Sequence, residues 1–326
     1  MKQKPLWNAI ALSYTAAGYV GGVALLLLAT VGLNAVGVVL LTHSLVLSAY
    51  WAHEFMHGNI FSSPRLNAIG GNIVLWLNGG CYARFQDLQR SHIGHHINRC
   101  DFQRFNLSAY LKSLPAWARK GLLALEWLYF PALAFLVRIR TLTAPFWQPQ
   151  RYDERRRVSL ILTVRLGLFT LLGIVSPKAL LLYFLAYIGM ITVLRFVDAF
   201  QHTYETVPMD GPLPKRDRAY EQANTFSNVI SQRYWWLNLL LLNFVYHNAH
   251  HDSMRCPWHS LHELDRDLFS GEEPHYVSLV ELLLNYHQFR VSRIFSGQGH
   301  AITEKGHLQL ETFYGAFDAT FLVLPS

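Results

Sequence analysis

The sequence predicts an all-α integral membrane protein: two transmembrane hairpins, four spans in all, with interfacial helices and a histidine-rich cap on the cytoplasmic side. Three observations lead there. The chain has 326 residues, 52% apolar and only 15% charged, where soluble domains carry about 25% charged residues. Its apolar residues come in long blocks, several near the ~20 needed to cross a bilayer as a helix. Its histidines cluster at helical spacing just beyond the ends of those blocks.

In order along the chain, residues 8–31 form the first apolar block. Gly32-Leu33-Asn34 reads as a tight turn. Residues 35–52 form the second span and continue helically into His53–His57. The basic start followed by an apolar run imitates a signal peptide, but the second run at once after it makes a membrane hairpin. Lys2 and Lys4 place the N-terminus in the cytoplasm, and two crossings return the chain there. Residues 65–83 are apolar but broken by Gly70-Gly71 and Gly79-Gly80, which fits an interfacial or re-entrant helix. Residues 116–140 mix Trp117, Trp127, Phe130 and Phe135 with Arg119, Lys120 and Arg138, the pattern of an amphipathic helix lying on the bilayer. The arginine-rich stretch Arg151–Arg157 is a cytoplasmic loop. Residues 158–175 and 178–199, split by Ser176-Pro177, make the second hairpin. Arg165 lies about 10 Å deep by helical rise, within snorkelling reach. Tyr234–Val245 is too short to span. Residues 1–270 thus form one membrane domain, and 271–326 a C-terminal cytoplasmic tail or cap.

A net charge of +7 and a pI near 9.3 fit basic cytoplasmic loops better than nucleic-acid binding. Cys81, Cys100 and Cys256 form no CxxC pair, so neither a disulfide framework nor a thiolate zinc site follows, and reduced thiols are expected.

The chemistry is carried by histidines. His247, His250 and His251 fall at i, i+3 and i+4, which places three imidazoles on one helical face. The same spacing recurs at His92, His95 and His96. His53 and His57 stand at i, i+4. His202, just past the fourth span, lies one helical turn after Asp198. Nine candidate imidazoles exceed the three or four ligands of one metal ion and argue for two. Imidazole with few carboxylates suits Zn, Cu, Fe or Ni. Hydrolytic zinc leaves most of these side chains idle, whereas a two-iron site using O2 employs them all.

His53-x3-His57, His92-x2-His95-His96 and His247-x2-His250-His251, in that order, resemble the three histidine boxes of membrane fatty acid desaturases and their hydroxylase relatives. The resemblance covers about residues 1–270. His202 is similar to the extra histidine that follows the fourth span in acyl desaturases. Those proteins carry an asparagine facing the metals where this chain has Asp198, so the resemblance puts a catalytic position on Asp198 and adds a negative charge there. It implies two non-haem irons, O2 as co-substrate, and removal of hydrogen from an unactivated CH2 of a fatty acyl chain. The expected reaction is desaturation, with hydroxylation or terminal-alkene-forming decarboxylation as alternatives on the same scaffold. No cytochrome b5-like segment is visible, so electrons come from a separate donor such as ferredoxin, rubredoxin or a cytochrome b5-like protein. The competing class is a membrane metal-binding or transport protein, whose histidines belong along a path within the spans.

Ligating imidazoles need a partner on their other nitrogen. Glu54, Asp87, Asp101 and Asp252 are the acidic neighbours, with Asp252, next to His251, the best placed. His43, inside the second span, reads as a hydrogen-bonded core residue. His259, His262, His275, His287, His300 and His307 lack cluster spacing and read as surface residues. Trp235, Trp236 and Trp258 suit interfacial anchoring. Arg84, Arg90, Arg99 and Arg104 surround the second box, either as basic bias or to capture an acidic headgroup.

Overall fold

A computed structural model describes residues 3–103, 105–208, 211–303, 306–317 and 321–324. Lys2 and Arg104 lie outside the described residues. Four helices among them are long and apolar enough to cross a membrane. They are α1 (Pro5–Leu27), α2 (Val31–His57), α8 (Arg155–Val175, continuing a short turn from Pro149) and α9 (Pro177–Ala199). The outward face of α8 exposes Leu160, Leu168, Leu171 and Ile174, which is stable only against lipid.

The first hairpin breaks at residues 28–30, not at Gly32-Leu33-Asn34. Asn34 is helical, and its amide donates to the Leu25 and Leu28 carbonyls at 2.8 and 3.0 Å. A buried side chain thus caps the end of α1, and the turn moves upstream. The two helices pack closely: a methyl group on Gly22 would come within 2.9 Å of Leu41 Cβ. At 27 residues, α2 is about 40 Å long, roughly 10 Å more than the hydrocarbon core. Its last turns therefore carry His53 and His57 past the apolar layer. Gly58 (φ 71°) ends it in the left-handed region.

α3 (Pro64–Asn78) has 15 residues, too few to span. Its Gly70 and Gly71 lie against the Phe55 and Phe85 rings, which lets α3 sit flush on α2 and on α4 (Phe85–Asn98). Arg165 does not snorkel. It is buried and donates to the Trp76 carbonyl at 2.6 Å, satisfying a carbonyl in the last turn of α3.

After the short α5 (Leu107–Ser113), the single amphipathic helix expected over 116–140 is two, α6 (Ala116–Trp127) and α7 (Ala132–Trp147), bent by 114°. Pro131 lacks a donor to continue the helix. The Glu126 carboxylate caps the start of α7, accepting from Leu133 N at 2.7 Å and pairing with Arg195 of α9 at 3.0 Å.

The all-helical expectation misses one small parallel pair, β1 (Asp101–Gln103) with β2 (Thr206–Pro208). Beyond it come α10 (Arg218–Ala223), a 3-10 turn at Trp235–Leu241 and α11 (His247–Asp252). The C-terminal segment wraps back: Phe313 packs on Phe200 and Phe226, and Leu322 joins the main core around α2.

Trp258 is core rather than interfacial, its indole donating to Asn8 Oδ1 at 2.8 Å. His259 and His275 are buried, contrary to the surface expectation, and His259 Nε2 accepts the Lys4 amide at 3.2 Å. His43 is hydrogen-bonded as expected, to Tyr14 Oη and the Leu240 carbonyl, both at 2.9 Å.

Candidate metal centre

The histidine boxes sit on short helical stretches whose apolar neighbours are buried elsewhere. Box one is the last turn of α2, box two lies along α4, and box three is α11. His202 follows α9 in a bridge with Thr225. The fold draws all nine imidazoles to one point. His53, His57, His92, His96 and His250 have ligand atoms within 4.8 Å of one another, and so do His95, His202 and His251. His247 joins the second set, its Nε2 2.8 Å from His202 Nε2.

Within the five-membered group the Nε2 atoms of His57 and His92 are 2.8 Å apart. The pairs His53–His57, His92–His96 and His96–His250 are each 3.2 Å apart. In the four-membered group His95 and His202 are also 3.2 Å apart. Two nitrogens about 2.0–2.1 Å from one metal ion and at right angles lie roughly 3 Å apart, so the donor set fits two metal ions. Burial, reinforced by neighbouring imidazoles, holds His92, His96, His202, His247 and His251 well below the ordinary imidazole range. Burial brings His250 to about 3. At neutral pH these are uncharged donors whose lone pairs face one another, an arrangement that a cation stabilises.

The outer nitrogens are held unevenly. His95 Nδ1 is 3.1 Å from Asp101, His251 Nδ1 is 3.1 Å from Glu221, and His202 Nδ1 is 3.3 Å from Thr225 Oγ1. Glu221 in turn accepts from Arg99 Nε at 2.8 Å. Glu54 lies 3.4 Å from His53 Nδ1 but accepts from Trp258 N at 3.1 Å. Asp252 does not support an imidazole: it turns outward to Arg218 at 2.6 Å. Asp87 likewise faces Arg90, at 3.5 Å. Glu221 has no sequence signal; it lies 30 residues before the histidine it touches and meets it only through the packing of α10 on α11.

Asp198 is buried at the end of α9 and lines a cavity of about 90 Å³ with His92, His95, His202, His247 and Gln201. Phe244 and Phe321 close its apolar side. The Phe321 ring centroid lies 5.5 Å from that of His53 and 5.8 Å from that of His92. Sequence reasoning left Phe321 in the tail, since no spacing ties it to the boxes. Of the arginines near box two, Arg84 is paired with Asp153 and Arg99 with Glu221.

Comparison with curated proteins returns no match. The Fatty acid desaturase family matches residues 29–282, a stretch that holds three of the four spanning helices in full and all nine histidines. The chain therefore belongs to the fatty acid desaturase family.

Proposed function

We propose that this desaturase-like membrane enzyme is an O2-dependent diiron oxidoreductase that introduces a double bond into a fatty acyl chain. The observation that carries this reading is the division of nine imidazoles into groups of five and four. His53, His57, His92, His96 and His250 hold one iron; His95, His202, His247 and His251 hold the other. When bound, the pair supplies coupling of O2 reduction to hydrogen removal from an unactivated CH2. The reaction balances as one O2, two electrons and two protons consumed, two hydrogens taken from adjacent carbons, and two waters released. The electrons come from a separate donor such as ferredoxin, rubredoxin or a cytochrome b5-like protein, and the basic face that includes Arg151–Arg157 suits an acidic one.

The chain's own residues do the positioning. Asp101, Glu221 and Thr225 fix ring orientation and direct Nε2 inward. Phe244 and Phe321 exclude water from the reacting face. Both hairpins return to the end that carries the histidines. Lys4 and Arg151–Arg157 lie at that end too, which supports a cytoplasmic site.

Asp198 favours a second reading, hydroxylation or terminal-alkene-forming decarboxylation, because a carboxylate on the cavity wall changes the charge beside the reacting carbon. Mass spectrometry of lipids from an expressing host decides. Loss of two hydrogens supports desaturation, a gained oxygen supports hydroxylation, and a free acid losing one carbon sinks the desaturase reading. Two irons per chain, with activity lost in His92→Ala and His251→Ala, support the enzyme against a metal carrier. One zinc with no O2 consumption refutes it.

A further inference from the structure

Helix α4 is a wall between two cavities. Leu88, Ser91, His92 and His95 line the small inner cavity; Arg84, Asp87, Arg90, Ser91 and Gly94 line an outer chamber of about 540 Å³. These sets occupy adjacent helical faces, and Ser91 stands on the edge between them. Phe102 of β1 also lines both cavities. It lies on bare backbone: a Cβ on Gly94 would meet the Phe102 ring at 3.3 Å. Ser91 and Phe102 therefore form the neck between the chamber and the imidazoles.

The sizes give the neck a purpose. Pockets that enclose a small molecule run to about 300–1,000 Å³. The inner cavity is far smaller and accommodates only the reacting segment of a chain, while the outer chamber lies within that range. The chamber's cations are not equivalent. Arg84 is held by Asp153, and Arg151 is held by Glu154 at 2.7 Å. Arg90 is 81% exposed, and among the described residues its ion pair is with Asp87 alone, at 3.5 Å. Its guanidinium is free to take a bidentate oxyanion.

We propose that an acyl substrate reaches the imidazole cavity from this chamber past Phe102, with Arg90 meeting its oxyanion head. This rests on the acyl-chain reading above. The head is a carboxylate or a phosphate ester, and the test separates them.

The test is thiol labelling of the purified, iron-loaded protein carrying Ser91→Cys. Background is low because Cys81, Cys100 and Cys256 are buried. The probes are palmitate, palmitoyl lysophosphatidic acid and hexadecanol. Palmitate or lysophosphatidic acid should slow maleimide labelling at position 91, and the one effective at lower concentration identifies the head. Adding Arg90→Ala should weaken that protection about tenfold while leaving hexadecanol unchanged. Adding Phe102→Ala should speed labelling severalfold. Leu213→Cys, at an exposed position on the chamber wall, repeats the protection measurement without altering the neck or Arg90. The proposal is overturned if neither anionic probe protects position 91 or position 213. It is also overturned if Phe102→Ala leaves the labelling rate unchanged. Labelling needs no turnover, so an active desaturase without protection sinks the route and spares the reaction. Protection without any acyl product does the reverse.

Discussion

The five-imidazole and four-imidazole groups are made of one residue type but supported in different ways. In the first, the outer nitrogens of His57, His96 and His250 are buried with no hydrogen-bond partner among the described residues. The His250 ring packs on Phe244, His57 and His96 pack edge-on against one another and against His250, and the His53 ring beside them packs on Phe244 and Phe321. In the second, Asp101, Thr225 and Glu221 grip three of the four rings, and His202 stands outside any helix. Three of the four, but only His92 of the five, line the cavity shared with Asp198. A group set by packing has fixed geometry and little means of tuning. One set by carboxylates can have its donor strength adjusted. The four-membered group is therefore the one whose surroundings decide how the site reacts.

The largest effect tests whether the groups are separate at all. His96→Ala and His95→Ala should each abolish turnover and each leave about one iron per chain. Iron analysis with Mössbauer spectra should then show two different remaining sites. Identical spectra, or loss of both irons in each variant, would merge the two groups into one cooperative cluster.

Next in size is the carboxylate support. Glu221→Gln keeps the shape but removes the charge facing His251 and Arg99. Loss of such an outer partner typically costs roughly 10- to 100-fold in metal affinity or activity. The loss should fall on the iron that His96→Ala retains and spare the one that His95→Ala retains, as read by chelator competition. Asp252→Asn, which removes only an outward pair with Arg218, should change affinity less than about twofold.

That contrast between Glu221 and Asp252 also marks how far the sequence was legible. The boxes could be read because i, i+3 and i+4 spacing is a local geometric fact that any helix obeys. The four spans could be read because hydrocarbon thickness sets a length. Side-chain direction across elements has no such period. Asp252 neighbours His251 in sequence but points away from it, while Glu221 and Phe321 reach the site from other segments. The hairpin turn was misplaced for a related reason: Gly32 and Asn34 have turn propensity, but Asn34 gains more by capping α1 from within α2. At 128–131, Pro131 was a local signal for a break, although the acceptor that stabilises it, Glu126, is apparent only in three dimensions.

A smaller effect concerns the outcome of the reaction. Asp198→Asn removes the charge on the cavity wall and should leave two irons bound. Product ratios measured by mass spectrometry should shift severalfold toward desaturation if the carboxylate favours another outcome. An unchanged ratio would restrict Asp198 to a packing role.

The smallest effect is a pH dependence confined to one group. Burial raises the Glu221 carboxyl above the ordinary glutamate range, with Arg99 offsetting part of the shift. A raised value means that protonation begins at a higher pH than for an exposed glutamate. Once protonated, the carboxyl no longer balances the His251 ring, so its contribution is present above that pH and is lost as pH falls through it. The His96→Ala protein, which keeps the four-membered group, should therefore release iron on mild acidification, and adding Glu221→Gln should flatten that limb at a lower overall affinity. The His95→Ala protein should show no change in its pH profile when Glu221→Gln is added. A shift there of the same size would mean that Glu221 acts on the whole cluster, and the division of labour between the groups would fail.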